Sequence, residues 1–319
     1  MNRLTYDGYS NEAVAADEVT LDNLRELTRR QSAGFELRLL EIRGIAEKMA
    51  EKILALTEGG LTALDAIATL SAEDIVPVEC YIPHSSLLPE NIFRDADYLS
   101  TLGRYDRVLF SDILSEILGA TALTEADFLP ASFTDDSITY VKNVFSDEAF
   151  DVFSEELGSP SVYYAKDLRS SVAAVAEGRC GFCLLPLEER GMRIPTVYAL
   201  ILNYDLKINS VIPVFGLDGS ADMKYALLSR GFTKTDAAEG DDRYLELRLD
   251  GDGGSLGELL LAIEELRMSL YRINTFNVGD TSHLSLVVRD EGRDFTPLLT
   301  YLSLFSPDCD FVGLYKNLE

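Results

Sequence analysis

The chain has 319 residues, 47% of them hydrophobic and 26% charged, and a formal net charge of −26. That length and balance fit a globular protein of about two or three domains, each with its own core. So acidic a surface repels phosphate backbones and argues against nucleic acid as a partner, and no apolar run reaches the roughly 20 residues that span a bilayer. The opening residues, MNRLTYDGYSNEAVAADE, lack the apolar stretch of a secretory signal. The expected location is the cytoplasm, with no membrane partner.

Residues 1–18 are small and polar and read as a frayed leader. From Thr20 to about Leu56 the spacing predicts a long helix. Phe35, Leu39, Ile42, Ala46, Met49, Ile53 and Leu56 step by four and three along one stripe. At 1.5 Å per residue such a helix is roughly 50 Å long and needs partner helices or a second subunit to cover its stripe. Gly59 and Gly60 mark its stop, and Leu61 to Leu70 form a shorter helix. Residues 75–90, with Pro77, Pro83 and Pro89, read as an irregular connector. Helical spacing resumes with Phe110, Ile113, Leu114, Ile117 and Leu118, and residues 121–136 lead out of it.

A β-α-β-α-β run follows. Strands are expected at Ile138–Val141, Val162–Ala165 and Cys180–Leu185, the last ending at Pro186, with helices starting at Ser146 and Asp167. Farther on, Tyr244–Leu249 alternates as a strand, Asp250–Gly254 turns, and Leu256–Leu266 is helical. Strands at Leu270–Val278 and Leu284–Val288, a helix at Phe295–Leu304 and a strand at Phe311–Tyr315 complete a β-α-β-β-α-β order, the ferredoxin-like arrangement.

Four cysteines and two histidines leave little for a metal site. Cys180 and Cys183 have the two-residue gap of zinc or redox motifs, but on a strand that odd spacing sends them to opposite faces, so they read as core residues. His84 lies in the Pro-rich connector and His283 at a strand start; both read as structural or solvated. Asp250 and Asp252 open like a calcium loop, but Gly254 takes its third ligand position and Leu261 its last. No metal and no cofactor is expected.

The run from Ile138 to Gly191, ending in Leu-Pro-Leu-Glu-Glu, resembles the first lobe of prephenate dehydratase, and the last segment resembles the amino-acid-sensing ACT domain that follows it in that family. The resemblance implies an α+β multidomain fold. Its parts are an N-terminal helical region (1–130), a truncated periplasmic-binding-protein-like α/β lobe (131–235) and a C-terminal ferredoxin-like ACT module (240–319). It also implies a cleft that holds both carboxylates of prephenate while the ring hydroxyl departs. The family's Gly-rich loop is shortened here to Lys142-Asn143. Its Pro-Ile-Glu-Asn-Ser becomes Pro186-Leu187-Glu188-Glu189-Arg190, and its Thr-Arg-Phe becomes Met223-Lys224-Tyr225. Methionine donates no hydrogen bond, and lysine keeps the charge without the bidentate fork. Between Ile208 and Lys224 there is no room for the family's second lobe, which takes roughly 50 residues or more.

The opening helix is also similar to the chorismate mutase that precedes the dehydratase in some bifunctional proteins, through Leu21, Leu24 and Arg25, with Arg43 and Lys52 one residue off. In that resemblance Arg25, Arg43 and Lys52 would hold chorismate; the plainer reading is cations on a solvated face. In the ACT-like segment the effector positions are Gly254, Ser255 and Leu256 at the helix start, with Asn274 and Thr275 on the next strand. Alternatively Gly254 serves the turn, and Leu256 packs in the core. The expected function is a non-catalytic, regulatory or amino-acid-sensing relative in phenylalanine metabolism, binding an aromatic amino acid as a homodimer. The alternative is an active mutase or dehydratase with a rebuilt site.

Overall fold

The computed structural model describes residues 11–71, 99–119, 123–129, 136–215, 221–233, 242–250, 256–278, 281–306 and 309–316, with the side chains of the first helix from Ser32 onward. That helix, α1, runs Asn11–Glu58, nine residues earlier than its apolar stripe predicts. Its lead-in, NEAVAADE, is rich in alanine and glutamate, good helix formers, so residues 11–18 of the supposed leader are helical. Ile42, Ala46, Met49 and Ile53 are buried as spaced, but Phe35 is 62% exposed, because α1 meets the body only from about Arg38. There Arg38 Nη2 pairs with Asp106 Oδ2 of α3 (Arg104–Gly119) at 2.9 Å.

Helices α1, α2 (Ala63–Ser71), α3 and α4 (Glu125–Phe128) share one core with the C-terminal segment. Ile42, Met49, Phe110, Leu114 and Leu118 pack with Leu259 and Ile263 of α8 (Leu256–Glu265) and Leu298 and Leu299 of α9 (Thr296–Phe305). Beneath lie Leu245, Leu247 and Leu286 of the sheet. Arg243 locks the same junction, reaching Glu125 Oε1 and Asp290 Oδ2, both at 2.8 Å. Thus the helical region covers the helix layer of the C-terminal segment. No described helix is long and apolar enough to cross a membrane.

One mixed sheet holds all ten described strands. These are β1 (Ile138–Tyr140), β2 (Val162–Tyr164), β3 (Phe182–Glu189), β4 (Met192–Arg193), β5 (Lys207–Phe215), β6 (Ala221–Ser229), β7 (Arg243–Asp250), β8 (Ser269–Val278), β9 (Thr281–Arg289) and β10 (Cys309–Lys316). Their order is β2-β1-β3-β6-β5-β10-β7-β9-β8, with β4 turned back onto β3. β1 is parallel to β2 and β3; β3, β6 and β5 run antiparallel, as do β10, β7, β9 and β8. β5 and β6 form a direct hairpin, Val214 opposite Met223 and Phe215 opposite Ala221. A single parallel register, Gly313 opposite Ile208, joins β10 to β5 and makes one sheet of the two halves.

Local signals explain the α/β half. Helix α5 (Val144–Glu156) starts two residues before the expected Ser146, because Asn143 is its N-cap and Ser146 completes the capping box as its third residue. Asp167 caps α6 (Leu168–Ala176) in the same way. Helix α7 (Pro195–Asn203) has proline at its first position but too few polar residues to show a period in sequence. β3 begins only at Phe182, so Cys180 precedes the strand and alternation does not apply to it. Both Cys180 and Cys183 enter the same buried cluster, correcting the opposite-face expectation.

Candidate functional site

Helices α5 and α6 lie on opposite faces of the sheet. Phe153 of α5 packs with Ile138 and Leu184, while Val172 and Val175 of α6 pack with Cys183 and Leu185. Between β1 and β3 the connections therefore change side, and the crevice beyond the strand ends is where open α/β sheets take ligands. A cleft of about 310 Å³ opens there. Its walls are Val141, Phe145, Leu168, Leu184, Pro186 and Met223, and its polar groups are Asn143 and Tyr225. That size and mostly apolar lining suit a small organic ligand.

Capping holds Asn143 in place: its Oδ1 accepts from the Ser146 backbone N–H at 3.0 Å and its own backbone N–H donates to Ser146 Oγ at 2.8 Å. Tyr225 Oη donates to the same Oδ1 at a long 3.4 Å. Burial pushes the Tyr225 phenol above its ordinary pKa. Tyr225 is the sole ionisable side chain among the described lining residues. A phenol can donate a hydrogen bond to a ligand and accept one from it.

On β6, Met223 and Tyr225 face this cleft, so Lys224 points through the sheet to its other face. On β3 simple alternation would put Glu188 beside Pro186 in the cleft. A bulge between Pro186 and Glu188 inserts Leu187 and turns Glu188 to the Lys224 side, where the two residues stand opposite each other in the strand register. A network of charges lies there. Arg193 Nη2 donates to Glu246 Oε2 at 2.6 Å and to Tyr315 Oη at 3.2 Å; Tyr315 Oη donates in turn to Glu246 Oε2 at 3.1 Å. Ser285 Oγ donates to Glu246 Oε1 at 2.9 Å. Arg272 Nη1 donates to Glu188 Oε1 at 2.5 Å. Burial opposes the charge of Arg193, yet Glu246, Tyr315 and Glu188 outweigh it and raise its pKa. Burial, then Glu246, pushes the phenols of Tyr198 and Tyr315 upward. The network encloses a cavity of about 10 Å³, walled by Glu188, Arg193, Lys224, Tyr271 and Arg272 among others.

The residues singled out in sequence scatter accordingly. Met223 and Tyr225 line the cleft; Glu188 and Lys224 line the small cavity; Glu189 and Arg190 are exposed, Arg190 in the β3–β4 turn with φ of 49°. Arg43 is on the outer face of α1, paired with Glu47 at 3.2 Å, and Lys52 is half-buried. For Arg25 only the backbone is described, and His84, Gly254 and Ser255 lie outside the described residues. Leu256 is half-buried against the helical core. Asn274 is turned inward, and among the described residues none accepts from its Nδ2, while Thr275 is exposed on the opposite face of β8. His283 is buried and stacks on Phe276. Among the described residues no three His, Cys, Asp or Glu gather into a metal site.

Sequence reasoning missed Asn143 as a positioned group and missed Arg193, Glu246 and Arg272 altogether. The Asn143-x-x-Ser146 spacing is a capping signature that points to the first. Glu246, between Leu245 and Leu247, stood at a position where an antiparallel strand ordinarily shows a polar residue to solvent.

No protein-family model and no curated protein matches the chain. Among solved structures it is similar to the prephenate dehydratase of Streptococcus mutans, at 11% identity and a TM-score of 0.48, over 57% of this chain and 99% of that one. It is similar to GqqA, described as a novel type of quorum-quenching acylase, at 19% identity and a TM-score of 0.44, over 57% and 95%. A prephenate dehydratase from Arthrobacter aurescens in complex with L-Phe aligns at 12% identity and a TM-score of 0.43, over 56% and 89%. Prephenate dehydratases thus recur among its structural neighbours at low identity.

Proposed function

We propose that the chain is a non-catalytic relative of the prephenate dehydratases that binds a small aromatic acid or amino acid and acts as a regulator in aromatic amino-acid metabolism. The lining of the 310 Å³ cleft carries this reading. Pro186, Met223 and Tyr225, which stand where the sequence resembles the dehydratase strands, come together in it, and they supply apolar surface and one neutral hydroxyl. An aromatic ring matches the walls; Tyr225 Oη and the Asn143 amide match a polar substituent. The direct β5–β6 hairpin leaves residues 216–220 where the family inserts a second lobe, which favours binding over closure around a reacting substrate.

In this reading residues 1–130 are a helical domain, 131–235 the truncated lobe and 240–319 an ACT-like module. The strand order β10-β7-β9-β8 supports the last assignment. Exposed Leu270, Tyr271 and Ile273 on the long edge strand β8 favour side-by-side pairing into a homodimer. Isothermal titration of the full chain with phenylalanine, tyrosine, tryptophan, chorismate and prephenate, beside an assay for phenylpyruvate, tests the function. The expected result is saturable binding of at least one compound, weakened by Tyr225→Phe, and no turnover. Enzymatic formation of phenylpyruvate, or silence toward all five, overturns it.

A further inference from the structure

Every seventh position of α1 from residue 14 onward reads Val14, Leu21, Thr28, Phe35, Ile42, Met49 and Leu56. A seam with that repeat belongs to a helix that winds against a second helix. The body covers only its inner half, where Ile42 and Met49 are buried. Before Arg38 the cover stops. Ser32 to Leu37 are all exposed, Phe35 by 62% and Leu37 by 68%, and Leu40 on the next turn by 66%. From Asn11 to Leu37 the helix runs on for roughly 27 residues, about 40 Å. Helices in proteins draw most of their stability from an apolar face packed on a neighbour, and among the described residues nothing covers the seam at Phe35.

Charge selects the partner. Residues 11–22 contain Glu12, Asp17, Glu18 and Asp22 and no cation, whereas residues 23–31 contain Arg25, Arg29 and Arg30 against Glu26 alone. An acidic block thus adjoins a basic one, in a chain of net charge −26. Asp17 and Arg30, Glu18 and Arg29, and Asp22 and Arg25 stand at equal distances from the midpoint between Asn23 and Leu24. Two copies of the helix laid antiparallel about that point set each acidic block against the other copy's basic block. A parallel pair sets like against like. Leu21 and Leu24 flank the midpoint, so the apolar centres of the two helices coincide. The two Arg38 positions, where the bodies begin, then lie about 44 Å apart along the axis, which keeps the bodies at opposite ends.

We propose that the outer half of α1 is an interaction surface for a second copy of this chain, the two helices forming an antiparallel coiled coil centred between Asn23 and Leu24. The seam that packs on the body from Ile42 inward packs on the partner helix from Phe35 outward. The contact is separate from the edge strand β8, and it does not rest on the ligand proposed for the cleft.

Sedimentation equilibrium of the full chain tests it, in an Ile273→Arg background that takes away any pairing through β8. That chain should still dimerise. Arg29→Glu with Arg30→Glu makes the outer half acidic throughout and should weaken the dimer at least about tenfold. Asp17→Arg with Glu18→Arg should do the same from the other end. An equimolar mixture of the two double variants should regain the parent's association, because each reversed block then meets its opposite. Urea denaturation checks that the body of each variant folds. Should either pair fail that check, Leu24→Glu, in the seam beside the midpoint, takes its place and should also weaken the dimer. The proposal is overturned by a chain that stays monomeric at about 0.1 mM, which would leave the seam to a helix of another protein. It is equally overturned by a dimer indifferent to both charge reversals, or by a mixture no tighter than its components.

Discussion

Gly313 of β10 lies so close to Ile208 of β5 that a Cβ added to it would stand 2.7 Å from the Ile208 Cβ and 3.0 Å from the Ile208 carbonyl oxygen. The two residues form the parallel register that joins the halves of the sheet, beside a bulge between Phe311 and Gly313. The clash would be with backbone and a branched Cβ, which cannot swing aside.

Gly313→Ala should therefore destabilise the fold by about 1–3 kcal/mol, the usual cost of overpacking. Urea denaturation checks it. A change below about 0.5 kcal/mol would mean that β5 and β10 separate easily.

Arg193→Met should cost about 3–5 kcal/mol, because it leaves the fully buried Glu246 without its cation. Glu246→Gln should cost less, since an amide oxygen still accepts from Ser285 or Tyr315. Equal losses from the two variants in denaturant titrations would argue against charge as the cause.

Asn143→Ala removes the N-cap of α5 and should cost about 1 kcal/mol of stability. It should also weaken any ligand in the cleft. Tyr225→Phe, whose bond to Asn143 is long at 3.4 Å, should cost about 1 kcal/mol or less while weakening the same ligand. Stability and affinity measured side by side separate the cap from the contact.

Asp167 gives a pH signature. The amide, then the hydroxyl, of Ser170 hold its carboxylate below the ordinary 3.8. With the folded pKa lower than the unfolded one, the ionised cap stabilises above the unfolded value and loses that contribution as pH falls through the folded value. Asp167→Asn should flatten this part of the acid limb. Below the folded pKa the variant and the parent should converge; parallel stability curves at all acid pH values would refute the link.

The readable parts of the chain were those set by nearest neighbours along it. The buried stripe Ile42, Ala46, Met49 and Ile53, the Asp167 cap and the last strand at Phe311–Tyr315 follow from periodicity and capping. Met223 and Tyr225 drew notice only through the resemblance to the dehydratase's Thr-Arg-Phe strand; both line the cleft. Glu188 was legible as a residue of interest, but not the face it serves. Arg272, 84 residues from it, carried no local mark at all.

Side-chain period and cap chemistry act over a few residues, so most helices and strands could be read from the chain alone, while the apolar run of α7 could not. Tertiary pairing decided the rest. A bulge exists only relative to a partner strand, and it is the pairing of β3 with β6 that turns Glu188 away from the cleft. Glu188, Arg193, Glu246 and Arg272 meet from four strands because Gly313 lets β10 dock on β5. Such contacts arise only once distant segments have been brought together, and no spacing along the chain announces them.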